Sequence, residues 1–210
     1  MPDEPVLAAS GDARARGSYA KGLARRQEIL DRAIDVFARR GSAGTSLRSI
    51  AQEIGVSHAA LSHYFSSREQ LLVEVYREAE RRTDAQKPPG GEPSPVEIMA
   101  ASARRNHTVP GLVQLYSTLV AAALEPGHPD ATAFASERFA RVRADLAERV
   151  RRDQAAGITR RDVDPVAVAS LVIAASDGLQ TQWMLDDGVP HTDALELLAR
   201  LLAPVVTPNA

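Results

Sequence analysis

The sequence contains no cysteine, only two lysines, few aromatic residues and no long hydrophobic run. The absence of cysteine excludes disulfides, thiolate metal sites and a cysteine nucleophile, and it is compatible with a reducing compartment. No window approaches the roughly 18 uncharged apolar residues that a transmembrane helix needs. The N-terminus lacks the basic start and apolar core of a signal peptide. We therefore expect a cytoplasmic protein.

Sequence motifs of catalysis are also missing. There is no nucleophile elbow, no glycine-rich phosphate loop and no His-Glu-x-x-His motif. His58 and His63 are five residues apart, and at that spacing on a helix their side chains diverge, which argues against a shared metal ion. We expect no catalytic residues, no metal and no cofactor. The alternative is a small helical enzyme that uses isolated groups such as His107 and Asp177, or a ligand-binding protein.

Charge is distributed unevenly along a chain of ordinary globular composition, with 44% hydrophobic and 25% charged residues. Residues 1–82 contain 13 Lys and Arg against 11 Asp and Glu, a net charge of +2, whereas residues 83–210 contain 12 against 16, a net charge of −4. A basic patch favours contact with a polyanion such as DNA. The asymmetry suggests that any such contact involves the N-terminal part.

Apolar residues recur at three- and four-residue spacing through most of the chain, and no stretch shows strand alternation. The pattern predicts an all-α protein of about nine helices, which cover residues 21–40, 47–54, 58–65, 68–85, 95–106, 111–124, 131–156, 165–187 and 192–205. We expect a disordered arm at residues 1–20, a helix-turn-helix domain at 21–66, and a ligand-binding and dimerisation domain at 67–210. The proline- and glycine-rich segment 86–95 reads as a loop.

Two short helices with a tight connection carry the functional signal. Thr45 and Ser46 are helix-starting residues for the first, Gly55 ends it, and Ser57 starts the second almost at once. Helices joined by so short a turn cross at a steep angle, as in a helix-turn-helix, whose second helix can enter the major groove of DNA. The second helix, HAALSHYF, contains no Lys, Arg, Asp or Glu.

The last two helices, containing VAVASLVIAAS and LELLARLLAPVV, are apolar on more than one face. A second apolar face requires a second partner, and the same two helices of another copy would form a four-helix bundle with two-fold symmetry. The alternative is that both helices are central within a monomer. The predicted interface residues are Val168, Leu171, Val172, Leu195, Leu198 and Leu202.

The run at residues 41–72, GSAGTSLRSIAQEIGVSHAALSHYFSSREQLL, resembles the DNA-binding domain of TetR-type transcriptional regulators. The resemblance covers the Thr-Ser cap, the Ile-Ala pair, Gly-Val-Ser, Tyr-Phe and the Ser-x-Glu-x-Leu-Leu opening of the fourth helix. It implies a homodimer that binds a pseudo-palindromic operator on double-stranded DNA and is released by a small-molecule effector. A repressor is the expected role, and an activator is the alternative.

The resemblance also implies roles for individual residues. Phosphate contacts would come from arginines and helix ends, and base contacts from the outward side of the third helix. The predicted DNA-binding residues are Arg25, Thr45, Ser46, Arg48, Ser57, His58, Ala59, Ala60, Ser62, His63, Tyr64 and Arg68, and Arg26 lies beside the first of these. Ser62 stands where an aromatic residue is common in the family, which affects affinity or sequence preference.

A ligand pocket is expected among the C-terminal helices. Large or polar groups on apolar helices are its candidate lining, although plain core packing would account for each of them equally well. The candidates are Met99, Asn106, His107, Tyr116, Phe134, Phe139, Asp177, Gln180 and Trp183. A mainly apolar, alanine-rich lining would suit an apolar or amphipathic effector.

Overall fold

The structure is a computed structural model that describes residues 10–40, 46–85 and 93–204. Within those ranges it contains nine α-helices and no β-strand, as the sequence predicts. The helices are α1 (Ser10–Arg40), α2 (Leu47–Glu53), α3 (His58–Tyr64), α4 (Arg68–Ala85), α5 (Pro95–Asn106), α6 (Pro110–Ala122), α7 (Pro129–Ala155), α8 (Pro165–Leu185) and α9 (His191–Leu202). None of these helices is both long and apolar enough to cross a membrane.

Helix α1 is longer than the sequence pattern predicts. It begins at Ser10 rather than at Lys21, so residues 10–20 of the predicted disordered arm are helical. Alanine and arginine, which both favour helix, recur in this segment and allow the helix to continue without an apolar stripe. Residues 1–9 of the predicted arm lie outside the described residues.

Short polar residues start the helices around the turn. Ser46 caps α2, because its Oγ accepts a hydrogen bond from Ser49 N at 3.1 Å while Ser49 Oγ accepts one from Ser46 N at 2.8 Å. At the start of α4, Ser67 Oγ accepts a hydrogen bond from Gln70 N at 2.9 Å, and Gln70 Oε1 accepts one from Ser66 N at 2.7 Å. These bonds satisfy backbone N–H groups that a helix leaves unpaired at its first turn.

Two clusters of buried apolar residues form the interior. The first joins α1–α4 to α6 and the start of α7, so that Phe37 and Leu61 belong to the same cluster as Leu119 and Phe134. The second lies among α5, the C-terminal half of α7, α8 and α9. The helices that carry the helix-turn-helix therefore share one core with the helices behind them, and the packing is continuous across residue 66.

Candidate DNA interface and ligand cavity

The connection between α2 and α3 occupies residues 54–57 and depends on one glycine. Gly55 has φ +69°, in the left-handed region that residues with a Cβ rarely adopt. Arg32 of α1 donates from Nη1 to Ile54 O at 3.1 Å, which ties the turn to the first helix. Ser57 Oγ then accepts a hydrogen bond from Ala60 N at 3.1 Å and starts α3. The predicted turn geometry is present.

Helix α3 has one buried side and one side open to solvent. Leu61 is 0% exposed and Phe65, just after the helix, is 1% exposed. Tyr64 is half-buried, and its ring meets that of His63 edge-on with 4.9 Å between centroids. The opposite side presents small or neutral side chains, which are exposed or, for Ala60, half-buried: His58, Ala59, Ala60, Ser62 and His63. Their placement agrees with the prediction, and their contact with DNA stays a prediction.

The arginines predicted to contact phosphates differ in how exposed they are. Arg48 on α2 is exposed. Arg25 on α1 pairs with Glu28 at 2.5 Å, with 41% of each side chain exposed, so it would have to exchange a partner to reach a phosphate. Arg68 is half-buried at the start of α4, where burial lowers its pKa. Thr45 lies outside the described residues. Of the three predicted arginines, Arg48 is therefore the one that is exposed.

Helix α4 connects α1–α3, which we call the head, to the remaining helices through polar contacts on two of its sides. Arg26 of α1 pairs with Glu74 and lies over the ring of Phe65, 5.2 Å from its centroid. This ion pair holds α1 against α4, so the Arg26 guanidinium would have to leave Glu74 to reach a phosphate. On the other side, Arg77 pairs with Glu137 of α7 at 2.6 Å.

Glu69 provides a second link between α4 and α7. The residue before α7, His128, makes no side-chain cap for that helix. Instead Glu69 Oε1 accepts a hydrogen bond from Ala131 N at 2.6 Å, and its Oε2 lies 2.7 Å from His128 Nδ1. A carboxylate at a helix N-terminus is stabilised by the unpaired N–H groups there. The first turn of α4 therefore caps α7.

Helix α6 touches the end of α1 with its backbone. An ideal Cβ at Gly111 would lie 1.9 Å from Phe37 O and 2.7 Å from Ala38 O. A real Cβ does not approach a carbonyl oxygen so closely, so this approach of α6 to α1 requires glycine. Pro110 at the first position of α6 starts the helix at this point. The sequence pattern did not predict this contact between Gly111 and α1.

A cavity of about 250 Å³ lies between α4, α5, α6, α7 and α8. Five of the predicted pocket residues line it: Met99, Asn106, Tyr116, Asp177 and Gln180. Asn106 Nδ2 donates to Gln180 Oε1 at 2.5 Å, across from α5 to α8. The cavity therefore collects residues from helices that are far apart in the chain, as a ligand site between packed helices does.

The other four predicted pocket residues do not line this cavity. Phe134 and Phe139 pack in the apolar core, where burying an aromatic ring stabilises the fold more than exposing it to a cavity would. His107 stacks on Trp183 with 4.1 Å between ring centroids, and this pair lies near His191 at the ends of α5 and α8. For these four residues, the choice of large or polar groups on apolar helices did not separate cavity from core.

The lining is not alanine-rich, which corrects the expectation from the sequence. Ala79 is the one alanine that lines the cavity among the described residues. Eight charged side chains line it instead: Glu80, Asp84, Arg105, Arg138, Arg141, Asp145, Arg149 and Asp177. The sequences of α4 and α7 contain many charged residues and do not show which of these side chains face a cavity. The packing of five helices turns some of them toward one cavity.

At one wall of the cavity, two tyrosines meet an arginine and two carboxylates. Tyr76 and Tyr116 stack with 5.2 Å between centroids, and burial raises the pKa of Tyr76 to about 12. Tyr116 Oη donates to Asp177 Oδ2 at 2.8 Å, and Arg138 Nε lies 3.2 Å from Glu80 Oε1. Burial raises the pKa of Tyr116 and of Asp177. Sequence reasoning found Tyr116 and Asp177 but missed the other three.

The predicted dimer residues divide into buried and exposed groups. Val168, Val172 and Leu195 are at most 5% exposed and belong to the core of the single chain, so they offer little surface to a second copy. Leu198 and Leu202 are half-buried against that core. Leu171 is 53% exposed. The sequence missed two exposed leucines on α9, Leu197 and Leu201, at 47% and 64%.

The exposed apolar residues lie on adjacent helices, because α8 and α9 pack against each other. Leu171 is followed along the exposed side of α8 by Ala174 and Gly178. Small residues at this spacing leave room for a close approach of another helix.

No group of three His, Asp or Glu residues suited to a metal ion occurs in the described part of the chain.

Two family models match this chain. The model described as bacterial regulatory proteins of the tetR family matches residues 29–75, which contain the turn and α3. The model described as the C-terminal part of BetI-type transcriptional repressors matches residues 113–207. The first match contains the helix-turn-helix, and the second contains most of α6 and all of α7, α8 and α9.

Curated relatives align with about a quarter of this chain. The HTH-type transcriptional repressor KstR2 of Mycolicibacterium smegmatis is 43% identical over 54 residues, which cover 26% of each chain. The HTH-type transcriptional regulator BetI of Agrobacterium fabrum is 42% identical over 53 residues, 25% of this chain and 26% of that protein. The alignments thus span about a quarter of the length of these relatives.

Solved structures resemble the whole molecule. A TetR-family regulator from Rhodococcus sp. superposes with a TM-score of 0.67 at 23% identity, over 85% of this chain and 98% of that one. The multidrug binding protein EbrR, solved in complex with ethidium, gives a TM-score of 0.60 at 28% identity over the same shares. The fold of this chain is therefore that of the TetR regulators over most of its length.

Proposed function

We propose, from the premise that this chain belongs to the TetR family of transcriptional regulators, that it is a ligand-released repressor which binds a pseudo-palindromic operator as a homodimer. The observation that carries this proposal is α3, a helix behind a tight glycine turn whose open side is small and uncharged. Such a helix can approach base edges and thymine methyl groups closely in the major groove. A DNA-binding regulator of this kind acts in the cytoplasm.

Affinity and sequence preference would come from different residues. Arg48 and the capped start of α2 at Ser46 would hold phosphates, and Thr45, Arg25 and Arg68 are the other predicted phosphate contacts. Base contacts would come from the open side of α3, in particular His58 and His63. Since phosphate contacts release counterions, binding should weaken steeply with salt.

The dimer would form through α8 and α9. Its centre would be Leu171, Leu197 and Leu201 rather than the buried residues of the same helices. The effector would bind in the cavity, which α4 and α6 both line. A ligand there shifts the dimer away from DNA only to the extent that it binds the two states unequally. The contacts of Glu69 and Gly111 support α4 and α6 as the connection to the head.

The function is tested with the protein and the DNA upstream of its own gene. Fluorescence anisotropy at low salt should show saturable binding, with one dimer per site and at least a 10³-fold preference over a shuffled fragment of the same composition. Equal affinity for both fragments would refute sequence-specific regulation. Transcription in vitro from the bound promoter separates a repressor from an activator.

The interface is tested by Leu171→Glu combined with Leu201→Glu. Two charges in each copy placed at a closely packed apolar contact should make the protein monomeric in analytical ultracentrifugation. Leu124→Glu is the matched control, because Leu124 is 84% exposed and lies at the end of α6. A variant that remains dimeric while the fold is intact would place the interface elsewhere.

A further inference from the structure

Three aromatic rings meet where α5, α8 and α9 pack against one another. His107 follows the last residue of α5, Trp183 lies near the end of α8, and His191 is the first residue of α9. The His107 ring stacks on Trp183 with 4.1 Å between centroids, and the His191 centroid lies 5.7 Å from that of His107 and 6.4 Å from that of Trp183. A ring stacked above His107 would be much farther from Trp183, so His191 lies beside the edge of the His107 ring. We call His107 and His191 the histidine pair.

His191 is buried without a hydrogen-bond partner. It is 2% exposed, and neither of its ring nitrogens has a partner among the described residues. A neutral imidazole carries one N–H donor and one nitrogen lone pair. Leaving both unpaired in the interior destabilises a fold, and native proteins rarely do so. The lone pair of His191 is therefore open to a ligand at the edge of the ring.

The histidine pair has the spacing of two ligands on one ion. Two imidazoles that bind one ion through bonds of about 2.0–2.1 Å have their ring centroids roughly 5 to 6 Å apart, because each centroid lies about 1 Å behind its nitrogen. The observed separation of 5.7 Å falls in this range, and the two ring planes are 30° apart. His107 is exposed, so solvent reaches the pair from its side.

The chemistry of the two rings selects the kind of ion. Neutral imidazole nitrogen is a ligand for Zn²⁺, Ni²⁺ and Cu²⁺, whereas Mg²⁺ and Ca²⁺ prefer oxygen ligands. The described part of the chain contains no group of three His, Asp or Glu residues suited to a metal ion. The pair therefore suits an exchangeable ion with two protein ligands rather than a closed structural site with four.

We infer that the histidine pair binds one divalent transition-metal ion of the Zn²⁺, Ni²⁺ and Cu²⁺ class, with the rings of His107 and His191 as protein ligands and water at the remaining positions. The ion joins the end of α5 to the start of α9. Sequence spacing did not predict this site, because the two histidines are far apart in the chain. The inference does not depend on the proposed repressor function, since neither histidine lies on α3 or lines the cavity.

The test uses the fluorescence of Trp183, the only tryptophan of the chain, which stacks on His107. Ni²⁺ is titrated into the full-length, tag-free protein after dialysis against a chelator. Because Ni²⁺ is paramagnetic, it should quench Trp183 saturably, with one ion per chain and a midpoint of about 100 µM or below. Zn²⁺ should displace Ni²⁺ and restore the fluorescence, whereas Mg²⁺ should not. Absence of saturation up to about 1 mM Ni²⁺ would overturn the inference.

Variants of three histidines locate the ion. His107→Gln changes an exposed residue and leaves the core intact. It should weaken Zn²⁺ binding in isothermal titration calorimetry at least about tenfold, a loss that even the outer partners of metal ligands can cause. His191→Gln should show the same loss. The control is His128→Gln, because His128 Nδ1 lies 2.7 Å from Glu69 Oε2 and forms the other candidate ligand group. Unchanged affinity in His107→Gln, or a loss in His128→Gln instead, would contradict the inference.

Thermal unfolding gives a second measurement that needs no fluorescence and checks the fold of each variant. An ion that binds the folded chain stabilises it by mass action. Zn²⁺ at about ten times its midpoint should raise the Tm of the wild-type protein by roughly 3 °C or more, and it should leave the Tm of His107→Gln unchanged. An equal rise in both proteins would mean that the ion binds elsewhere. If His191→Gln does not fold, His107→Gln decides the outcome.

Discussion

The open side of α3 and the lining of the cavity are both polar surfaces, but they are assembled in opposite ways. The α3 surface lies on one helix of seven residues and presents no Lys, Arg, Asp or Glu. The cavity draws residues from five helices and eight of its side chains are charged. Residues that are close in the chain form the open side of α3, whereas packing between helices that are distant in the chain forms the cavity lining.

This contrast also separates how the two surfaces would work. A surface on a short capped helix presents its side chains in a geometry that backbone hydrogen bonds determine. In the cavity the geometry depends on ion pairs such as Arg138 with Glu80, which join side chains of different helices. The first is suited to reading a constant partner and the second to responding to a variable one.

The largest effect is expected where α3 joins the core. Leu61→Ala should lower the free energy of unfolding by about 3 kcal/mol, because Leu61 is 0% exposed and its removal leaves a cavity. His63→Ala, two residues away on the open side, should leave stability unchanged and lower DNA affinity. Urea unfolding and anisotropy measure the two quantities. A comparable stability loss in His63→Ala would show that the open side is part of the core.

The close contact between α6, which lines the cavity, and α1 can be tested by substituting Gly111. Gly111→Ala should destabilise the fold by about 2 kcal/mol, since its Cβ would meet the backbone oxygens of α1. The matched control is Gly22→Ala, where nothing lies within 4 Å of the added Cβ. There alanine should raise stability by up to about 1 kcal/mol through helix propensity. Equal effects in thermal unfolding would contradict the close approach of α6 to α1.

Acid should destabilise the protein at His191, the first residue of α9. His191 is 2% exposed, neither of its ring nitrogens has a hydrogen-bond partner among the described residues, and burial lowers its pKa. The unfolded chain therefore binds more protons, so stability is present above about pH 6.5 and is lost as the pH falls below it, by at most about 1.4 kcal/mol per pH unit. His191→Leu should remove this part of the slope in urea titrations at several pH values.

The exposed His58 offers the control for that measurement. His58→Leu should retain the acid-side slope of the wild-type protein, because His58 lies on the open side of α3. If His191→Leu and the wild-type protein lose stability in parallel below pH 6.5, the buried ring does not cause the acid sensitivity.

The smallest effect is expected at the phosphate contacts. Arg48→Gln should weaken binding to operator and shuffled DNA alike and reduce the slope of log affinity against log salt by about one for each phosphate that is no longer neutralised. Arg81→Gln, on an exposed arginine of α4 that pairs with Glu78, is the control. A change in sequence preference in Arg48→Gln would mean that this arginine reads bases.

Local chemistry made most of the head predictable. Ser46, Gly55 and Ser57 fix the two short helices and their turn through caps and one left-handed residue, all within a few positions. The period of apolar residues separated Leu61 and Phe65 from the open side. The helical order of the C-terminal part followed from the same period. By contrast, the helical state of residues 10–20 depends on propensity without an apolar stripe, and the pattern missed it.

The sequence by itself determined the helices, the turn and the resemblance that identified the head, because those features arise between residues close in the chain. Only the tertiary structure decided that Val168, Val172 and Leu195 are core while Leu197 and Leu201 are exposed, since α8 and α9 are apolar on several sides. It also decided that Arg138 meets Glu80 and two tyrosines. These contacts join α4, α6 and α7, and residue spacing within a helix carries no information about which neighbouring helix a side chain will face.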